Sequence, residues 1–286
     1  MVEGVFLGQD QLDIQFLYGM TVDREEMEES AIYLDGVVQG PVIDNERHSH
    51  SFDHHGDCLR MVTLATCQQV RLALELGFDA TGFTVVLNDL DADASLALWL
   101  LRHPERAMEK RILEVVEQVG FVDAHGPVRE PALLHHALTH GHDEEQSEEM
   151  LWADQELIDT WYDQGDQALP EPSSHIAAPA FGLTRAGELR EFDATKSFAD
   201  LYRRGIVVAV LCPQGPAGSI GYTIGKRSDF VAFDVEAFLS EINDLESGWG
   251  GASTIGGAPR CSDGRRSELS KEIVKKVFVD VAGKTS

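Results

Sequence analysis

The chain has 286 residues, 43% of them hydrophobic, and carries 49 acidic against 23 basic residues for a formal net charge of -26. That length supports one large domain or two ordinary ones with a real core, and the charge disfavours long duplex nucleic acid, whose phosphates such a surface repels. No run approaches the roughly 20 apolar residues that span a bilayer, and the start MVEGVFLGQDQLD lacks the pattern of a signal peptide, so a cytoplasmic location without a membrane partner is expected. Along the chain, AIYLDGVVQ at 31 to 39 reads as a strand. LRMVTLATCQQVRLALEL, from 59 to 76, has helical apolar spacing and stops at Gly77. FTVVLND at 83 to 89 has the β-branched, apolar character of a buried strand, and the segment after it reads as a helix interrupted at Pro104 and resumed to Gly120. The run DEEQSEE at 143 to 149 reads as a solvated loop entering a helix.

Strand, polar tip and helix in repetition predict an α/β domain with a mostly parallel sheet over residues 1–165. The stretch 165 to 180, GDQALPEPSSHIAAPA, has no apolar periodicity and predicts a linker, placed at 166–185. Beyond it, GIVVAVLC at 205 to 212, SIGYTIGK at 219 to 226 and DFVAFD at 229 to 234 read as strands, followed by a helix EAFLSEINDLE and a terminal helix near 268 to 278. They predict a smaller α/β domain over 186–286.

Three polar clusters carry chemistry. HSHSFDHHG packs His48, His50, Asp53, His54 and His55 into nine residues, and a solvated loop is a weak account of it. NDLDADA sets Asp89, Asp91 and Asp93 directly behind a buried strand, where alternate residues face one side. After Gly120, FVDAHG places Asp123 and His125 at another strand-like tip. Carboxylates crowded this closely repel one another unless a divalent cation relieves them. Mixed histidine and carboxylate sets suit Mn, Fe or Zn better than Ca or Mg, and three tips supply enough ligands for two metals. The competing readings are that Asp91 or Asp93 caps the helix beginning SLALWLL, that His125 is a turn residue, and that the histidines at 135, 136, 140 and 142 are ordinary surface or core residues.

In the C-terminal half, Gly248, Gly250, Gly251, Gly256 and Gly257 let backbone N–H groups approach an anion, with Ser253 and Thr254 adding hydroxyls and Arg260 a planar fork for phosphate oxygens. Trp249 argues for an anchored loop, and Lys226 and Arg227 are weaker candidates for the same anion. The loop has neither the Walker GK[ST] nor GxGxxG spacing. No GxSxG or catalytic cysteine pattern competes.

Asp53, His54 and His55 resemble the signature of the DHH phosphoesterase superfamily, and YTIGKRSDF, a helix and GWGGASTIGGAPR resemble its associated C-terminal domain. The resemblance covers most of residues 31 to 260. It implies an active site in the cleft between two domains, two manganese ions, with Fe or Zn as alternatives, and hydrolysis of a small phosphorylated substrate such as a nucleotide, short oligonucleotide or pyrophosphate by attack of metal-activated hydroxide. On this reading His54, Asp89, Asp91 and Asp123 are the first-choice ligands, followed by Asp93 and His125, then His48 and His50. Asp53 orients its neighbouring histidine, and His55 contacts a phosphate oxygen or supports the metal. Gly250, Gly251, Ser253, Thr254, Gly256, Gly257 and Arg260 bind substrate. One alternative is a non-catalytic, regulatory protein that binds metal and nucleotide, suggested by the lack of a histidine in the glycine loop. Another is a single structural zinc held by His54, His55, Cys58 and Cys67, against which stands the absence of any CxxC pair among Cys58, Cys67, Cys212 and Cys261. Oligomeric state stays open, with a homodimer as one option.

Overall fold

A computed structural model describes residues 12–56, 58–126, 128–129, 131–138, 146–170, 177–251, 253–259, 261 and 264–284. The chain divides into two compact units, one of residues 1–124 and 131–172, the other of 125–130 and 173–286. No helix among the described residues is long and apolar enough to cross a membrane.

The first unit is built on five strands, β1 (Asp13–Phe16), β2 (Ala31–Leu34), β3 (Val42–Asp44), β4 (Ser49–Phe52) and β5 (Thr84–Leu87). They lie in the order β1-β5-β2-β4-β3 and all pair in parallel except β3 with β4. The helices are α1 (Thr66–Glu75), α2 (Ala92–Arg102), α3 (Lys110–His125), α4 (Leu133–Leu138) and α5 (Glu148–Gln164). Every residue of α2 from Ala92 to Leu101 is buried, as befits a helix that is apolar but for Asp93 and Ser95. Its Trp99 and Leu96 share one core with Leu34, Val85 and Leu87 of the sheet.

The second unit carries β6 (Ala178–Thr184), β7 (Leu189–Thr195), α6 (Phe198–Arg203), β8 (Ile206–Leu211), β9 (Thr223–Lys226), α7 (Val235–Asn243), β10 (Gly250–Gly251), β11 (Ile255–Gly257) and α8 (Lys271–Lys284). The six strands form one antiparallel sheet in the order β10-β11-β9-β8-β6-β7. Helices α7 and α8 cover it through Phe238 and Phe278, which meet Phe181 and Tyr222 in a second core.

One strand was not foreseen, and three expectations need correction. The polar run HSHSF is a strand, β4, buried along its length; Ser51 Oγ donates to Val38 O at 3.0 Å, and His50 packs between Phe78 and Phe83 at centroid distances of 5.3 and 5.5 Å. Gly120 does not stop the helix before FVDAH. It sits inside α3 where a Cβ would come within 2.6 Å of the Gln68 side chain on α1, so glycine permits the approach of two helices and Asp123 and His125 are helical. The DFVAFD stretch is irregular, held by burial of Phe233 ahead of α7. Finally, the stretch 166–185 is not all linker: it begins with a 3-10 turn, Asp166–Ala168, and ends in β6.

Candidate metal centre

Strands β2, β4 and β5 are parallel neighbours, so the residues that follow their carboxyl ends are brought together, as at ligand sites of open α/β sheets. Asp35 follows β2, Asp53, His54 and His55 follow β4, and Asn88 to Asp91 follow β5. Local features set the turns after β2 and β5. Asp35 and Gly36 turn the chain out of β2 with φ of 40° and 80°, and Asp91 leaves β5 to cap α2, accepting the Ala94 amide at 2.8 Å.

Asp53 is wholly buried. Its carboxylate accepts the amides of Gly36 at 2.8 Å, Gly40 at 2.5 Å and His55 at 2.9 Å, and its Oδ1 lies 2.7 Å from His55 Nδ1. Burial alone would raise its pKa, but the His55 bond and the Gly40 amide outweigh it and bring the carboxyl down to about 2. Asp53 is thus a fixed anion that sets the ring of His55. Burial works against the charge of His55, yet Asp53 and Asp35 raise its pKa.

His54 is fully buried and lies among carboxylates, its Nε2 2.7 Å from Asp123 Oδ2 on α3 and 3.6 Å from Asp35 Oδ1. Against the effect of burial, Asp123 and Asp35 push its pKa up to about 10. Despite their proximity, Nε2 and Asp123 Oδ2 are not aligned as donor and acceptor. Both are buried without a hydrogen bond, as is His54 Nδ1. Two sets of side chains bring potential ligand atoms within 4.8 Å of one another, Asp35 with His54 and His55, and His54 with Asp93 and Asp123. His54 belongs to both. Asp93 accepts the amides of Thr66 at 2.7 Å and Cys67 at 2.9 Å, which ties the start of α1 to the centre. Burial and the neighbouring Asp123 and Asp35 raise Asp93 to about 7, and burial with the same two carboxylates raises Asp91 well above the usual range. The group holds more negative charge than it can keep ionised unaided.

Of the other expected ligands, Asp89 and Asp91 line a cavity of about 330 Å³ together with Asp35, His55, Asn88 and Gln146, though neither joins the two tight sets. His125 ends α3 outside both sets. His50 is a core residue whose pKa is lowered, by burial and then by His48, and His48 lies against Phe83 at 6.4 Å. Cys67 is buried with Sγ 3.7 Å from Val116 O, and among the described residues neither ligand set includes a cysteine. The zinc reading thus loses its thiolates.

In the second unit the expected glycine loop is a hairpin, β10 paired with β11 through Gly250 with Gly257 and Gly251 with Gly256. A Cβ on Gly251 would meet Gly256 Cα at 2.3 Å, and one on Gly256 would meet Leu239 at 2.8 Å, so close packing of strands and helix α7 accounts for these two glycines. Trp249 is anchored, stacked on Tyr222 at 5.6 Å with Nε1 donating to Glu246 at 2.9 Å. Thr254 accepts the Lys226 amide through its carbonyl at 2.8 Å. Ser253 borders a cavity of about 400 Å³ with Lys226 and Glu236. Lys226 Nζ is turned to Phe233 O and Asp229, and Arg260 lies outside the described residues.

Sequence reasoning missed Asp35, because the expected strand 31–39 ran through it. Asp-Gly directly after the apolar AIYL is a turn signal, and it marks the same strand-then-carboxylate pattern as NDLDAD. No family model matches the chain, and no curated protein or solved structure matches it.

Proposed function

We propose that this chain is a metal-dependent phosphohydrolase of the DHH type, acting on a small phosphorylated substrate with two divalent cations, of which Mn is the first choice. The observation that carries the proposal is the trio of buried polar atoms without a hydrogen bond, His54 Nδ1 and Nε2 and Asp123 Oδ2, the last two only 2.7 Å apart, inside a ring of carboxylates. Buried polar atoms in folded proteins nearly always have partners, and a cation coordinated by Nε2 and Oδ2 would supply one to two of these three. The donors fit such an ion, since nitrogen and carboxylate oxygen together favour Mn, Fe or Zn. His54, Asp35, Asp93 and Asp123 would hold the metals, with His55 as a further ligand or a contact to substrate.

The adjacent cavity supports the same reading. Its wall contains three carboxylates, Asp35, Asp89 and Asp91, and neither lysine nor arginine, so a phosphate enters favourably only after cations have reversed the local potential. Bound there, the cations would supply a nucleophile from water and neutralise charge developing on the phosphoryl oxygens. The chain's own part is to hold these groups still. Asp53 fixes His55, Asp93 fastens the centre to α1, and Thr66 Oγ1, 3.1 Å from Asp35 Oδ1, steadies that carboxylate. A role in gripping substrate for the hairpin, with Ser253, Thr254 and Arg260, is proposed with it.

The test is elemental analysis of the protein purified with Mn, beside a screen of pyrophosphate, dinucleotides and bis-(p-nitrophenyl) phosphate, for the native chain and His54→Ala. About two Mn per chain with turnover, both lost in the variant, is the expected result. Metal and nucleotide binding without turnover would instead identify the regulatory alternative, and absence of metal would overturn the centre itself.

A further inference from the structure

The second unit holds a cavity of about 1000 Å³ whose chemistry runs against the rest of the chain. It is bordered by Arg185, Arg227 and Ser228, by the apolar side chains of Val231 and Val279, and by Phe230, and no aspartate or glutamate lines it. In a chain with 49 acidic and 23 basic residues, a wall with two arginines and no carboxylate departs sharply from the average surface. Among the described residues neither guanidinium pairs with a carboxylate, whereas Arg190, Arg204 and Arg265 nearby in the same unit all do.

The sheet explains why the two arginines share this cavity. Thr184, the last residue of β6, pairs with Ile206 at the start of β8, and Lys226, the last residue of β9, pairs with Val208. Arg185 and Arg227 therefore leave two strands at the same end of the sheet, on either side of β8, and the Arg227 amide is fixed to Val207 O at 2.8 Å. Phe230 borders the same cavity from the irregular stretch before α7 and is 81% exposed, the most exposed of the large apolar side chains described. An aromatic ring left in water beside two uncompensated cations and an apolar floor is a combination that ligand sites use, with polar groups to orient and apolar surface to bind.

We infer that this cavity binds a small organic anion with a flat aromatic body, the class to which nucleoside monophosphates belong. The anionic group sits between Arg185 and Arg227, with the Ser228 hydroxyl as a further donor. The ring lies against Phe230 and the valines. All of its residues belong to the second unit and none is among the metal-centre side chains, and the inference does not depend on the hydrolytic reading.

The probe is 2-naphthalenesulfonate, an aromatic anion with no phosphoester to hydrolyse, titrated into the full chain by calorimetry and by amide chemical-shift mapping. Binding at about 0.1 mM or tighter is expected for a ligand of that size, with shifts centred on residues 184–189 and 227–233. Inorganic phosphate, which has no ring, and 2-naphthol, which has no charge at neutral pH, should each bind at least about ten times more weakly, one decade being a 1.4 kcal/mol difference. The Arg185→Gln/Arg227→Gln double variant should lose at least about tenfold at an unchanged melting temperature, and Asp35→Asn should leave the affinity as it is. Native affinity in the double variant, shifts centred elsewhere, or phosphate or naphthol binding as well as the sulfonate would each overturn the inference. Should the double variant fail to fold, the shift map of the native chain decides.

Discussion

At the strand ends of the first unit, side chains of opposite charge crowd together and still leave His54 and Asp123 atoms buried without hydrogen bonds; in the hairpin of the second unit, the neighbouring strand and helix fill the space that Gly251 and Gly256 leave open. Both stretches looked equally purposeful as sequence. The contrast teaches that residue type at a motif is less informative than whether the fold itself satisfies it. Glycines whose missing side chains are explained by packing ask for no ligand, whereas buried imidazole and carboxylate atoms without hydrogen bonds do where they converge with other ligand atoms, as those of His54 and Asp123 do and Nδ1 of His50 does not.

The largest effect that would sharpen this contrast is expected at Asp53. Asp53→Ala strands three backbone amides and the His55 ring that the carboxylate now satisfies, and in the metal-free protein urea unfolding at pH 7 should register a loss of about 3–5 kcal/mol. Because the folded-state pKa is depressed to about 2 from 3.8, the Asp53 contribution is present above pH 3.8 and fades as pH falls toward 2, so native chain and variant should converge over that window. An equal gap at pH 2 and pH 7 would mean that the charge of Asp53 is irrelevant to its role.

Next comes Asp35→Asn, which keeps the shape and removes the charge. Mn affinity measured by calorimetry should fall by about 100-fold or more. An unchanged affinity would place the cation away from the Asp35, His54 and His55 set. From the other side of the comparison, Gly251→Ala should destabilise the chain by about 1–3 kcal/mol through overlap with the β11 backbone, with bound metal unaltered; a thermal melt and metal analysis decide together. Metal loss without a stability change would break the distinction drawn between the two regions.

The smallest effect is expected at His50→Phe, within about 1 kcal/mol at pH 8, since a ring already packed on Phe78 and Phe83 is exchanged for another ring. Burial and His48 lower the pKa of His50 from 6.5. The unfolded chain therefore takes up the proton first, and stability from the neutral ring, full above pH 6.5, declines as pH falls below it. The variant should flatten that part of the stability profile.

The alternation of strands and helices in the first unit was legible because apolar runs such as TVVL and SLALWLL leave little choice of state. Strand β4 was not, because burial of HSHSF depends on hydrogen bonds and aromatic partners that lie far along the chain, Ser51 with Val38 and His50 with Phe78. Gly120 misled for a similar reason, since a glycine chosen for helix contact reads locally as a helix stop. The antiparallel pairing of the second unit was also hidden, as apolar strand segments announce themselves without announcing direction. At the centre, His54, Asp93 and Asp123 were found by residue type, and Asp91 proved to line the neighbouring cavity while also capping α2. Asp35 was lost in a strand drawn too long, and His125, read as lying on a strand tip, falls at the end of a helix outside both ligand sets.

The strand order carries a consequence for how the protein is made. Among the described strands β1 is bonded only to β5, and Asp13 and Thr84, partners across that pair, lie 71 residues apart. The earliest strand described therefore has no place in the sheet until the β4-α1-β5 crossover has been synthesised and β5 has slotted between it and β2. Contacts of such long range slow folding, and Asn88 to Asp91 cannot reach Asp35 before that insertion is complete. Emergence of the centre during synthesis is thus a late event, and a nascent chain halted before Leu87 would present the histidines with half of their surroundings missing.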